Sequence, residues 1–211
     1  MEADRKEVLR YLGYSRKDIP DPKTEGLIEE CINELSKAAS PKFTYAFCDI
    51  EISEGVTKTG FFDIKSRALA ISLKGCARAV LFAATLGIEA DYIIKKYTKI
   101  NMPKAVVCQA AATELIEKYC DLACGNIGSE LGDGFYLRPR FSPGYGDFDI
   151  KHQKDFISVL NCPKKIGVTL TDSMMLLPIK SVTAIMGISS EKCEKGGCEA
   201  CAKKDCEFRR R

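Results

Sequence analysis

The sequence predicts an α+β protein with a mixed, largely antiparallel twisted sheet and several flanking helices. Apolar residues recur at helical spacing in some stretches and alternate or run continuously in others. These stretches follow one another without the strict strand–helix–strand rhythm of a doubly wound sheet. The 211 residues are 45% hydrophobic and 29% charged, which is ordinary for a chain that buries a core.

Helices are predicted where apolar residues share one face and a cap or a proline marks an end. Asp21-Pro22 begins the second helix and Ser40-Pro41 ends it. Asn101, followed by Pro103, begins the longest helix. Its apolar face is rich in small residues, so another backbone should pack closely against it. The predicted helices cover residues 5–12, 22–39, 66–73, 89–97, 101–124 and 149–160.

Strands are predicted from alternation and from short apolar runs. Residues 43–52 alternate, whereas residues 79–84 form the continuous apolar run of a buried strand. Residues 125–134 are predicted to be a loop. Further strands are predicted at residues 61–64, 135–137, 168–170, 174–177 and 181–188. Residues 1–190 should form one domain with an N-terminal helical part at 1–40, and residues 191–211 a Cys-rich C-terminal tail.

Charge and hydropathy exclude several classes of protein. With 32 basic and 29 acidic residues the net charge is +3, which argues against a nucleic-acid partner. No run approaches the ~20 apolar residues that a bilayer crossing needs, so no membrane partner is expected. The charged start lacks the apolar centre of a signal peptide, and we expect a cytoplasmic protein.

The chain has eleven cysteines, which fall into two groups. In a reducing compartment, the seven scattered cysteines are predicted to be small buried hydrophobes. The other four crowd into the last nineteen residues, at the short spacing of an all-thiolate site for zinc or an iron–sulfur cluster. The alternative is a tail of reduced thiols, or of disulfides formed in air. The predicted metal ligands are Cys193, Cys198, Cys201 and Cys206.

The 140–147 segment, Arg-Phe-Ser-Pro-Gly-Tyr-Gly-Asp, is the candidate binding loop. Its proline stiffens the backbone, and its two glycines allow conformations that a side chain would forbid. Arg140 carries a planar fork of donors suited to a carboxylate, and Tyr145 an aromatic face suited to a purine or a sulfonium cation. The alternative is a connecting loop whose arginine forms a surface ion pair.

The 140–147 segment, followed by Gln153, resembles the activation (S-adenosylmethionine-binding) domain of cobalamin-dependent methionine synthase, especially the free-standing relatives of that domain. Residues 8–14, 81–89 and 181–188 agree with the family in type and order. The resemblance spans about residues 5–190. It implies that S-adenosylmethionine contacts Arg140, the backbone of Ser142, Gly144 and Tyr145.

The resemblance also implies acidic ligands for the amine or ribose of S-adenosylmethionine. Glu114 is the candidate, with Glu117 on the same helix, although Ala110 aligns nearer the family's acidic position. The full-length enzyme has Ala where this chain has Ser142, a change that keeps the backbone contact. A late Tyr of that enzyme has no evident counterpart after Ile188.

The implied function is that of a reactivation component for a cobalamin-dependent methionine synthase. Such a component binds S-adenosylmethionine and presents its methyl group to the reduced corrinoid, without a catalytic acid or base. Cobalamin would lie on a partner chain, a truncated cobalamin-dependent methionine synthase or a related corrinoid protein, because no Asp-x-His-x-x-Gly motif occurs here. A reductant such as flavodoxin or ferredoxin would supply the electron.

Two other functions remain open at this point. One is a metal- or iron–sulfur-bearing accessory protein that keeps the fold without binding S-adenosylmethionine; an iron–sulfur tail could also pass the electron that reactivation needs. The other is an independent methyltransferase, which is disfavoured because no strand leads into a Gly-rich turn.

Smaller signals are interpreted structurally. Asp147 and Asp149 are predicted to cap helices rather than to act as paired carboxylates. His152 is predicted to be exposed rather than a metal ligand. Met174 and Met175 are predicted to pack in the core.

Overall fold

The computed structural model describes residues 3–15 and 17–191 of the chain. The helices are α1 (Arg5–Tyr11), α2 (Pro22–Ala38), α3 (Arg67–Ser72), α4 (Ile88–Ile100), α5 (Met102–Ser129), α6 (Gln153–Val159) and α7 (Cys162–Ile166), with a 3-10 turn at Ile150–His152. The strands are β1 (Lys42–Asp49), β2 (Glu51–Ser53), β3 (Val56–Lys58), β4 (Asp63–Lys65), β5 (Arg78–Thr85), β6 (Tyr136–Leu137), β7 (Thr169–Leu170), β8 (Leu176–Leu177) and β9 (Ser181–Ser189).

The strands form a four-stranded sheet of order β1-β5-β9-β6, a three-stranded sheet β2-β3-β4 and a hairpin β7-β8. In the main sheet, β5 pairs along its whole length with β1 on one side and β9 on the other. Each strand pair in the described part of the chain is antiparallel. The predicted α+β class with a largely antiparallel sheet is therefore confirmed.

Both faces of the main sheet are covered. Val80 and Phe82 of β5 face one apolar cluster, which also contains side chains of α1, α2, α4 and α5. Leu81 and Ala83 face a second cluster, which includes side chains of α3, α6 and α7. A strand covered on both faces needs apolar residues at successive positions, which explains why β5 is a continuous apolar run rather than an alternating one.

The long helix α5 differs from its prediction at its C-terminal end. It was predicted to end near Cys124, but it continues through Gly125 and Gly128 to Ser129. Each helical glycine costs about 1 kcal/mol relative to alanine. Ile127, which is fully buried, extends the apolar face by one turn and offsets this cost by about 1.5–3 kcal/mol.

Three other element boundaries differ from the predictions. The predicted strand at 43–52 divides at Ile50 into β1 and β2. The predicted helix at 149–160 is followed directly by a further helix, α7, and Pro163 lies in its first turn, where a missing N–H costs nothing. The strand predicted at 174–177 is reduced to the two residues of β8.

The scattered cysteines behave largely as predicted. Six of the seven are buried, and Cys124 is half-buried. Burial raises the pKa of Cys48 and of Cys162 to about 11, so these thiols stay protonated at neutral pH. The four predicted metal ligands, Cys193, Cys198, Cys201 and Cys206, lie outside the described residues.

Among residues 3–15 and 17–191, no helix is both long enough and apolar enough to span a membrane.

Candidate functional site

The 140–147 segment begins at an edge of the main sheet. The chain pairs with β9 through β6 and continues beside it, where the Arg138 amide donates to the Gly187 carbonyl at 2.8 Å. Phe141 and Ile185 then exchange backbone hydrogen bonds of 3.0 and 2.9 Å. Arg140 is therefore held against a central strand rather than on a free loop.

Backbone hydrogen bonds close the rest of the segment into a tight turn. The Gly144 amide donates to the Phe148 carbonyl at 2.7 Å, and the Phe148 amide donates to the Tyr145 carbonyl at 3.0 Å. The Tyr145 amide donates to the Ser142 carbonyl at 3.2 Å. The predicted stiffness of the segment thus comes from this hydrogen bonding as well as from its proline.

Both glycines of the segment are required by the backbone. Gly144 has φ +95° and Gly146 has φ +56°, values that favour glycine. A Cβ atom on Gly146 would approach the Cβ of Ala68 to 3.0 Å, and one on Gly144 would approach Ile150 Cδ1 to 3.1 Å. The crowding atoms belong to the protein itself, so the fold alone accounts for both glycines.

Asp147 attaches the segment to α3. Its carboxylate accepts hydrogen bonds from Ser66 Oγ at 2.5 Å, from the Arg67 amide at 2.8 Å and from the Ala68 amide at 3.1 Å. The hydrogen bond from Ser66 is the main cause of the lowered pKa of Asp147, followed by the two amides. Asp149 caps the adjacent 3-10 turn through the Lys151 amide at 2.9 Å. Capping is confirmed for both aspartates, although Asp147 caps a helix 80 residues earlier in the chain.

Replacing Asp147 by alanine should weaken the link between α3 and the segment, because three donors lose their shared acceptor. We expect lower hydrogen-exchange protection of the Arg67 and Ala68 amides, with the main sheet unaffected. The folded pKa of Asp147 is depressed, so the contribution is present above the ordinary value near 3.9 and is lost as pH falls through the folded pKa. Asp149→Ala is the matched control, and equal loss of protection in it would contradict the prediction.

The side chain of Arg140 is paired with α5. Its Nη2 donates to Glu117 Oε2 at 2.8 Å, and its Nη1 donates to Asp121 Oδ1 at 2.7 Å and lies 3.7 Å from Cys124 Sγ. Burial alone lowers the pKa of Arg140, but interactions with Cys120, Cys124 and Asp121 raise it overall, so the group stays cationic. The predicted fork for a ligand carboxylate therefore already has two protein carboxylates as partners.

The other predicted site residues occupy different environments. Tyr145 is 66% exposed, with its ring centroid 6.4 Å from that of Phe141. Ser142 is half-buried, and its carbonyl is used within the turn. Glu114 is 4% exposed on α5. Their predicted roles in ligand binding stay predictions.

Sequence reasoning named Glu117 only beside the candidate ligand Glu114 and missed Asp121, and it predicted for neither residue an ion pair with Arg140. Glu117 and Asp121 are four residues apart and lie one turn apart on the same face of α5. An acidic pair at this spacing on the longest helix is the signal that could have marked them. The sequence does not specify which basic residue this pair meets.

Two smaller predictions are wrong. The side chain of His152 is only 20% exposed; its Nδ1 lies 2.7 Å from Asp155 Oδ2, and its ring packs on Phe62 and Phe148. Met175 is 53% exposed and does not pack in the core. In the described part of the chain, no group of three or more His, Cys, Asp or Glu side chains could hold a metal ion.

Two surface cavities lie away from the segment. One of about 580 Å³ is lined by Leu12, Gly13, Tyr14 and residues 17–19, and one of about 400 Å³ lies beside α6 and α7. None of the predicted binding residues lines either cavity. The 140–147 segment lies instead at the edge of the main sheet, with Tyr145 exposed.

Comparison with known proteins gives two findings and one negative result. The family model described as "Vitamin B12 dependent methionine synthase, activation domain" matches residues 128–208, which include the 140–147 segment. A crystal structure of the MetH reactivation domain bound to AdoHcy is similar in fold, with a TM-score of 0.63 and 15% sequence identity. That likeness covers 92% of this chain and 79% of the other. No curated protein sequence matches the chain.

The two findings agree with each other and with the resemblance predicted from the sequence. The family match covers the segment and the strand that supports it, and the fold match covers nearly the whole chain. They confirm the predicted resemblance to the activation domain of cobalamin-dependent methionine synthase, in sequence over residues 128–208 and in fold over nearly the whole chain.

Proposed function

We propose that the chain is the reactivation component of a cobalamin-dependent methionine synthase. It binds S-adenosylmethionine at the 140–147 segment and presents the methyl group to the reduced corrinoid of a partner chain. One observation carries this proposal: the segment, which the family match includes, is a rigid turn with a cationic arginine at its start and an exposed tyrosine. The AdoHcy in the similar solved structure supports the choice of ligand.

The residues of the segment suit the work of positioning. Arg140 pairs with the ligand carboxylate, Tyr145 offers its ring to the sulfonium or the adenine, and the backbone of Ser142 and Gly144 contacts the base. Glu114 is a further candidate for the amine or ribose. Cobalamin supplies the nucleophile and the sulfonium is its own leaving group, so the chain needs no catalytic acid or base.

The proposal extends to partners and location. The corrinoid lies on a truncated cobalamin-dependent methionine synthase or a related corrinoid protein, and a reductant such as flavodoxin or ferredoxin supplies the electron. All of this takes place in the cytoplasm. The C-terminal cysteines hold zinc or an iron–sulfur cluster, which anaerobic analysis of zinc, iron and sulfide would detect. Absence of all three from anaerobically prepared protein would exclude the metal site.

Isothermal titration with S-adenosylmethionine tests the binding half of the proposal. We expect wild-type protein to bind, and Arg140→Ala to lower the affinity by about 10- to 100-fold, since hydrogen bonds to charged groups contribute about 1.5–3 kcal/mol. Arg140→Lys, which keeps the charge but loses the fork, should fall in between. Lys151→Ala removes a nearby exposed charge and is the matched control. Binding that is indifferent to Arg140→Ala would overturn the site assignment.

Reconstitution with a stalled corrinoid partner tests the second half of the proposal, the transfer of the methyl group. The protein, a chemical reductant and S-adenosylmethionine labelled in its methyl group are added to a corrinoid partner stalled as cob(II)alamin. We expect labelled methylcobalamin to form on the partner, and less of it with Arg140→Ala. Binding of S-adenosylmethionine without any transfer would leave the chain a binding protein and reject the reactivation role.

One observation favours an alternative, an accessory or electron-transfer protein that keeps the fold without binding S-adenosylmethionine. The guanidinium of Arg140 is already paired with carboxylates of α5, as expected for a site that no longer binds a ligand carboxylate. The same titration distinguishes the two functions, because the alternative predicts no heat of binding from wild-type protein or from any Arg140 variant.

A further inference from the structure

The two ion pairs of Arg140 are unequal in exposure. The side chain of Arg140 is 17% exposed, that of Glu117 is 32% exposed and that of Asp121 is 60% exposed. An ion pair whose acid is largely in water contributes little, since solvent competes for both partners. The pair between Nη1 and Asp121 is therefore the weaker and more exchangeable of the two.

The charges around Arg140 allow one of its two carboxylates to be exchanged. One cation faces two carboxylates, so this cluster of three carries a formal net charge of −1. Losing Asp121 from Nη1 leaves a neutral pair between Arg140 and Glu117. It also leaves Nη1 near Cys124 Sγ at 3.7 Å, which is a weak acceptor. A carboxylate from a ligand could replace Asp121 at Nη1 without an unpaired charge being buried.

We propose that Asp121 occupies the ligand position on Arg140, and that a ligand carboxylate displaces it while Glu117 continues to orient the guanidinium. Asp121 is then a competitor within the site, and Glu117 is a positioning residue. This inference rests on the proposed function, because it takes S-adenosylmethionine as the carboxylate-bearing ligand. It explains why Arg140 is paired with two carboxylates although it lies at the start of the candidate binding segment.

Displacement and long-range electrostatics predict opposite effects of removing Asp121 on the affinity for S-adenosylmethionine. S-adenosylmethionine carries a net positive charge, so removing an acidic residue nearby should weaken its binding if only long-range attraction mattered. Displacement predicts the reverse, since Asp121→Ala frees Nη1 in advance. We expect Asp121→Ala to tighten binding by about twofold to fivefold, the upper part of the range for loss of one exposed ion pair. Asp121→Glu should restore the wild-type affinity.

Titration at low ionic strength tests the proposal with three ligands. S-adenosylmethionine and S-adenosylhomocysteine both carry the carboxylate, whereas methylthioadenosine lacks it. We expect Asp121→Ala to tighten binding of the first two and to leave methylthioadenosine unchanged. Glu117→Gln should weaken the first two severalfold. Asp149→Ala, which removes a nearby exposed carboxylate without touching Arg140, should have no effect on any of the three.

The outcomes separate this inference from the proposed function. Unchanged or weaker binding of S-adenosylmethionine by Asp121→Ala, with normal binding by the wild type, overturns the displacement and leaves the proposed function standing. If S-adenosylmethionine binds to Asp121→Ala but not to the wild type, Asp121 blocks the ligand position completely, which supports displacement. Absence of binding in both proteins overturns the inference and the proposed function together.

Discussion

Replacing Phe148 by alanine should lower the free energy of unfolding by about 3–5 kcal/mol, the range for a large aromatic residue removed from a core. Phe148 is 1% exposed and lies directly after the 140–147 segment. Its ring is stacked with that of Phe141, with centroids 6.3 Å apart, and packs on His152 and Phe156. The loss would create a cavity under the turn, because these rings share one cluster.

The effect should extend to ligand binding, since the Phe148 carbonyl and amide close the turn onto Gly144 and Tyr145. Urea denaturation measures the stability, and titration with S-adenosylmethionine measures the binding. Tyr145→Ala should weaken binding and leave the stability nearly unchanged, because a residue that is 66% exposed contributes little to folding. Phe61→Ala, at 53% exposure, is the matched aromatic control. A loss in Phe148→Ala no larger than in Phe61→Ala would contradict the prediction.

Local patterns predicted most elements of this fold. The continuous apolar run at 79–84 predicted a buried strand, and β5 is buried at seven of its eight positions. Asn101 predicted the start of α5, where its side chain accepts a hydrogen bond from the Lys104 amide. These predictions succeed because capping and periodicity depend on residues a few positions apart.

The failures arise where distant parts of the chain meet. Gly125 and Gly128 predicted a loop, but packing around Ile127 keeps the helix intact. His152 was predicted to be exposed because its neighbours in sequence are polar, whereas Phe62, 90 positions away, covers its ring. A window of a few residues contains no information on such contacts.

For the candidate site too, local features could be predicted from the sequence, whereas long-range contacts could not. Residue types predicted that the 140–147 segment is stiff, and its hydrogen-bonded turn confirms this, while its role in binding stays a prediction. The partners of Arg140 could not be identified, because an ion pair to α5 depends on how the sheet edge packs against that helix. The use of Asp147 as a cap for α3 is also a tertiary contact.

A second large effect is expected from Lys104→Ala, which should cost about 1.5–3 kcal/mol of unfolding free energy, the range for hydrogen bonds to charged groups, because the lysine is buried although its two acids are partly exposed. The Lys104 side chain is 6% exposed, and its Nζ lies 2.5 Å from Glu30 Oε1 and 3.1 Å from Glu34 Oε2. It also lies 4.1 Å from the centroid of the Tyr97 ring. This cation thus connects α5 to α2 and α4, and its loss leaves the like charges of Glu30 and Glu34 on α2 without their buried partner.

Lys96 provides a matched control on the same carboxylate. Its Nζ lies 3.8 Å from Glu34 Oε1, but its side chain is 56% exposed, so Lys96→Ala should cost at most about 1 kcal/mol. Chemical denaturation of both variants at neutral pH compares a buried and an exposed lysine that share one acid. Equal costs would show that burial of Lys104 adds nothing to the pair.

The pH dependence gives an independent check on Lys104. Burial alone raises the pKa of Glu34, but hydrogen bonds from Tyr97 and Lys104 lower it overall. The stabilisation that ionised Glu34 contributes is therefore present above the ordinary pKa near 4.3 and is lost as pH falls through the folded pKa. The pKa of Lys104 is raised despite its burial, chiefly by Glu30, so its contribution persists below the ordinary value near 10.4 and is lost only above it. The stability gap between wild type and Lys104→Ala should therefore be constant between about pH 5 and 10 and narrow on further acidification. A gap that stayed constant below pH ~4 would mean that Lys104 acts through apolar packing of its stem rather than through its charge.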